Sequence, residues 1–208
     1  MKTAVHFQEI LRTLKTNGFL LESDPKLPSV CSSITGTPLR GSWWSHPLAQ
    51  IIFQVNEQLG DHDDILIAKL VSRKVTFVHR KLWSELATIA AAREPWQLNG
   101  LPAATKSLLK RVDSAGALTT AEIVWPPKSK MKLGDAARDL EKRLLVVGTQ
   151  FHGESGAHEK RLETWDHWMK QRKFKPAKIL IETAKSRLEL KLRSLNEQFG
   201  ASAILPWE

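Results

Sequence analysis

Residues 133–162 read LGDAARDLEKRLLVVGTQFHGESGAHEKRL, and this stretch decides the fold. Leu133, Ala137, Leu140 and Leu144 recur at helical spacing, which predicts a helix from about Leu133 to Leu144. The run Leu145-Val146-Val147-Gly148-Thr149-Gln150-Phe151 then reads as a strand. Gly153-Glu154-Ser155-Gly156 supplies a turn, and His158-Glu159-Lys160-Arg161-Leu162 a returning strand.

Working outward, a preceding helix is predicted from Pro102 to Ala115. It sets Leu108 and Val112 on one side, and Gly116 offers a left-handed stop. Thr119 and Thr120 are caps for a short second helix, Glu122 completing a capping box with Thr119. Residues 125–132 carry Pro126 and Pro127 and cannot stay helical. Helix, helix, helix, hairpin is the order of a winged helix-turn-helix, assigned to residues 98–172.

Residues 1–97 read as an α+β part. Helices are expected over 3–16, over Pro47–Gln58 with Ser45 as cap, and over Leu82–Arg93; Glu22–Gly41 reads as loop with one short strand. Ile65 to Val78 reads as a β-hairpin through a polar Ser72-Arg73-Lys74 turn. Pro95 and Gly100 punctuate the boundary between the halves. Residues 173–208 are expected to form a long basic helix over 176–199, with Leu180, Ala184, Leu188, Leu192, Leu195 and Phe199 inward, and an apolar tail that docks. The fold class is therefore mainly α with small β-hairpins, and no internal repeat is apparent in the sequence.

The net charge of +9 is unevenly placed. Residues 1–95 hold 11 basic and 9 acidic side chains; residues 96–208 hold 20 and 13. A basic half beside a near-neutral half points to a polyanionic partner. Cys31 is the only cysteine, so neither an intrachain disulfide nor a cysteine-based zinc site can form. With no apolar run long enough for a membrane and no signal-like start, a cytoplasmic setting is expected. Walker-type, dinucleotide-binding and HExxH motifs are absent, and no cofactor is expected.

On the predicted third helix Arg138 and Lys142 face outward, and Lys128, Lys130 and Lys132 lead into its amino terminus. Lys160 and Arg161 lie on the wing. Cations there suit duplex phosphate, because a helix amino terminus also attracts anions. Asp135, Asp139 and Glu141 would repel phosphate unless paired with Arg138, Lys142 and Arg143.

In the first half, Gly41-Ser42-Trp43-Trp44-Ser45-His46-Pro47 admits two readings. Trp43 or Trp44 stacks an unpaired base with Arg40 and His46 near phosphate, or the pair anchors a loop. His79 and Arg80 touch phosphate or lie along Trp83. Asp61-His62-Asp63-Asp64 reads as a solvated turn rather than a nuclease site. His152 and His158 face each other across the wing without a third metal ligand, so no metal is assigned.

The run from Leu133 through Trp168 resembles the third helix and wing of bacterial winged-helix proteins. It is most similar to proteins related to the crosslink-repair DNA glycosylase AlkZ, which stack several winged-helix units. The resemblance covers residues 98–170 and implies binding of double-stranded DNA in repair. That glycosylase relies on a Gln-x-Gln motif that this sequence lacks; Gln50 and Gln54 lie one helical turn apart instead. Glycosylase chemistry is therefore not carried over, and no catalytic residue is assigned.

Non-catalytic DNA binding in repair or transcription is the leading expectation. A DNA-processing enzyme working on a damaged or flipped base through Trp44, His46 and His79 is the alternative, and a scaffold for protein partners the third.

Overall fold

The computed structural model describes residues 2–39, 41–152 and 158–208. The first helix, α1 (Lys2–Asn17), stops at Gly18, whose φ of +85° few other residues tolerate. Strand β1 (Phe19–Leu21) follows. The stretch expected as loop contains a helix, α2 (Val30–Thr35), where Ser29 and Ser32 form a capping box and Val30, Cys31 and Ile34 are buried. Helix α3 (Ala49–Asp61) starts later than expected, with Leu48 rather than Ser45 at its cap, and runs through Gly60. Ser45 instead ends a 3-10 turn, Trp43–Ser45. The predicted hairpin is present as β2 (Ile65–Lys69) and β3 (Val75–His79), pairing Lys69 with Val75. Helices α4 (Trp83–Ala92) and α5 (Pro95–Leu98) close this half.

The second half opens with α6 (Ala103–Ala115) and β4 (Ala117–Thr119). The expected short helix is a single 3-10 turn, Thr120–Glu122, with the Thr119–Glu122 capping box present. Helix α7 (Leu133–Lys142), then β5 (Val147–His152) and β6 (His158–Glu163), follow as the sequence indicated. Strand register sets His152 opposite His158. Their side chains, the segment 153–157 on which the expected turn falls, and Arg40 lie outside the described residues. Helix α8 (Trp165–Gln171), capped by Thr164, was not anticipated. The last helix, α9 (Ile181–Phe199), begins five residues late, leaving Leu180 78% exposed instead of inward; Phe199 is also exposed.

The repeat that the sequence hides is in the structure. Helix, strand, helical turn, helix and hairpin occur twice, with sheet orders β1-β3-β2 and β4-β6-β5. In each unit a glycine ends the first helix, and its carbonyl accepts a 2.8 Å bond from the end of the third strand. His79 donates to Gly18, and Thr164 to Gly116. A tryptophan-bearing helix, α4 or α8, then follows.

Each unit has its own core. Ile10, Leu14, Ile52, Val55 and Phe77 lie in the first, and Leu108, Val112, Ala137, Leu140 and Leu162 in the second. A third cluster joins them: Trp83 and Leu86 of α4, Leu144, Trp165 and Trp168, with Ala184, Leu188 and Leu192 of α9 and Leu205. The boundary segment is bonded rather than slack. Gln97 is fully buried and donates to the carbonyls of Ala90 and Arg143. Arg143 donates to those of Trp96, Gln97 and Asn99. The tail docks as expected, with Leu205 buried and the Trp207 indole donating to Glu189 at 2.7 Å. Among the described residues no helix is long and apolar enough to cross a membrane.

Candidate functional site

A cleft of about 240 Å³ opens where the two units meet. The first unit contributes Glu22 just after β1, Asn56 on α3 and Lys69 at the end of β2. The second contributes Glu141 on α7, Gly148 and Gln150 on β5, and Lys160 on β6. Trp43 and Trp44 form its lip, stacked with ring centres 4.1 Å apart; Trp43 is buried and Trp44 is 62% exposed.

The charges of the cleft are sorted by geometry. Glu141 is held by Lys160 at 2.7 Å. A side chain on Gly148 would overlap the Glu141 carboxylate, so glycine there admits the pair. Glu22 accepts from Asn56 at 3.3 Å. Burial raises the pKa of Glu22, with the Trp43 indole and Lys69 pulling the other way. Burial lowers that of Lys69, opposed by Glu141 and Glu22 and reinforced by Lys160 and Arg138. The Lys69 side chain is half-buried, lines the cleft, and makes no hydrogen bond or ion pair to any described residue. Sequence reading missed Glu22, Asn56, Lys69 and Glu141 as a group, because they come from four separate elements. The one available signal was Lys69 interrupting the apolar run Ile65–Val71.

The residues singled out from the sequence are dispersed. Lys128, Lys130 and Lys132 are exposed ahead of α7, without ion pairs among the described residues. Arg138 is exposed and pairs with Asp135 at 2.8 Å, and Asp139 pairs with Arg143 at 3.0 Å. With Glu141 bound to Lys160, the acids of α7 are neutralised locally. Lys142 is half-buried, and Arg161 is exposed beside Glu163 at 3.4 Å.

Of Trp44, His46 and His79, only Trp44 lines the cleft. His46 accepts from the Leu48 amide and His79 from the Lys81 amide, both acting as local caps. Burial lowers the pKa of His79, with Asp64 opposing. The Arg80 guanidinium lies 5.4 Å from the ring centres of both Trp83 and Phe174 and pairs with Asp64 at 3.6 Å, so it follows Trp83. Asp63 and Asp64 reach Arg172 and Arg80, and no group of three metal-ligating side chains exists among the described residues.

The chain is mixed α+β, with a basic second half and an aromatic-lipped cleft between two like units. The AlkZ-related family model matches residues 4–205, and the chain belongs to that family. The relationship thus takes in nearly the whole chain, not residues 98–170 alone. No curated protein and no solved structure matches it.

Proposed function

We propose that the protein binds duplex DNA through its second unit and receives a nucleotide drawn out of the duplex in the cleft. On this reading both units are winged helices. Residues 98–172 grip the duplex, residues 1–97 supply the other wall of the cleft, and residues 173–208 clamp the two together.

The observation that carries this reading is the position of the cleft. It lies against α7, β5 and β6, the elements that bear Arg138, Lys142, Lys160 and Arg161. An extruded base needs an aromatic surface to stack on and cations beside the backbone it left, and Trp44 and these residues supply both. Lys128, Lys130 and Lys132 add phosphate contacts where the α7 amino terminus favours anions.

Titration of labelled duplex, single-stranded and abasic-site DNA at two salt concentrations tests this. With about five phosphate contacts, affinity for duplex should fall roughly 10²- to 10³-fold between about 50 and 200 mM salt. Glutamate at both Lys130 and Lys132 should remove most of that dependence. Trp44→Ala should weaken mismatched duplex more than intact duplex, by about 1–3 kcal/mol, and should change affinity for abasic duplex, which has no base to stack there, much less. A protein that ignores all three DNAs would overturn the reading and favour a scaffold for protein partners.

A second reading, excision of the captured base, is favoured by Glu22. A half-buried carboxyl in the wall of the cleft, its pKa raised by burial, is suited to exchanging a proton with a bound base. Glu22→Gln should then leave binding intact and stop release of free base.

A further inference from the structure

We infer that the Lys69 side-chain amine is a nucleophile for an aldehyde, and that this aldehyde is the ring-opened sugar of an abasic site. The identity of the aldehyde rests on the DNA-binding reading above. Among the described residues two lysines line the cleft, and only one side chain is engaged: Lys160 holds Glu141 at 2.7 Å, while the Lys69 amine has no hydrogen bond or ion pair. The other carboxylate of the cleft, Glu22, accepts from Asn56. A half-buried, unpaired ammonium gives up hydration without recovering it. That cost shrinks when the nitrogen is neutral, and a neutral lysine amine in a cleft is the form that adds to carbonyls.

Lys69 is also fixed in place. It ends β2 in register with Val75, so its backbone cannot swing away from the cleft. The groups that set its charge are Glu22 from the first unit, and Glu141, Lys160 and Arg138 from the second. Burial outweighs them and lowers its proton affinity, in the direction that the chemistry needs. Of the parts of DNA, only a sugar that has lost its base carries an aldehyde. Its phosphates would meet the cations of α7 and the wing.

The steps balance without any added oxidant or reductant. The Lys69 nitrogen lone pair attacks C1′ of the open sugar, and the hydroxyl of the resulting carbinolamine leaves as water with a proton taken up from solvent, which leaves a protonated imine. The Glu22 carboxylate removes a proton from C2′. The C–H electrons form a new double bond to C3′ as the C3′–O bond breaks, and the phosphate leaves with that electron pair. Water then hydrolyses the imine, returning the amine. The products are a downstream strand with a 5′-phosphate and an upstream strand ending in an unsaturated aldehyde.

The test uses the full chain and a labelled duplex with one abasic site, with and without sodium cyanoborohydride. Binding is measured by anisotropy in the same samples. Wild type should give a denaturation-resistant adduct whose peptide mass maps to Lys69, forming faster as pH rises and levelling off below the ordinary lysine value of 10.5. Lys69→Ala and Lys69→Arg should both lose at least about tenfold in adduct while binding abasic duplex within about threefold of wild type. The arginine variant keeps the charge, so its loss separates nucleophile from counter-charge. Glu22→Gln should still form adduct but break the strand slowly. Bound abasic duplex that gives no adduct overturns this inference and leaves DNA binding standing. Adduct that persists in both Lys69 variants overturns the assignment to this residue. No binding at all removes the proposed function and this inference with it.

Discussion

Asp24 shows how local bonding outweighs burial at a single residue. Its near-complete burial favours the neutral carboxyl, but Lys74 at 2.8 Å and the Lys26 and Leu27 amides at 2.9 Å hold it below its usual value of 3.8. A depressed folded pKa contributes stability that is present above the unfolded value and is lost as pH falls through the folded one. Asp24→Asn should therefore cost about 1–3 kcal/mol at pH 7, and the gap to wild type should close at acid pH in denaturant titrations. Trp83 is the opposite case, stability chiefly from packing. It is fully buried, edge-on to Trp168 at 4.8 Å and Phe174 at 5.2 Å, with its indole donating to Val78. Trp83→Ala should lower stability by about 3–5 kcal/mol, read from the unfolding midpoint. Trp83 was legible as core from its helical spacing with Leu86 and Ile89. That Lys69 and Glu22 line one cleft was not, because they are far apart in sequence and reach it from separate elements.

Among the elements, α2 depends on its cap. A six-residue helix gains little from propagation, so the Ser29–Ser32 box and the three buried side chains hold it. Ser29→Ala should cost about 1 kcal/mol, detectable in thermal unfolding. Strand β5 carries a different constraint. Gly148→Ala should push the Glu141 carboxylate off Lys160 and cost about 1–3 kcal/mol, with loss of the ion pair visible as a shift in the Lys160 side-chain NMR signal. The long periodic elements, α1, α6, α7 and both hairpins, were legible because twelve or so residues of consistent spacing outweigh local noise. Helix α2 was missed because its Ser- and Thr-rich composition reads as loop. Helix α8 was missed because seven residues span two turns. The start of α9 was set too early because Pro176 resembles a first-turn proline, yet the chain stays extended until Ile181.

At the scale of the whole molecule, the repeated order of elements left little trace in residue identity. Gly18 and Gly116, each with φ near +80°, stand at like positions for a like reason. Backbone geometry constrains those two sites, whereas core positions accept any apolar side chain that fits. The cluster shared by α4, α8 and α9 should make the two units unfold together. Leu188→Ala, at the centre of α9, should cost about 2–5 kcal/mol and lower a single transition on which tryptophan fluorescence and circular dichroism coincide. Two separated transitions would count against a shared core. That cluster also imposes a schedule on the ribosome. Helix α4 leaves the exit tunnel roughly ninety residues ahead of α9, its principal cover, a wait on the order of 5–20 s at ordinary elongation rates. For that interval the side of α4 that α9 covers in the folded chain lacks that cover.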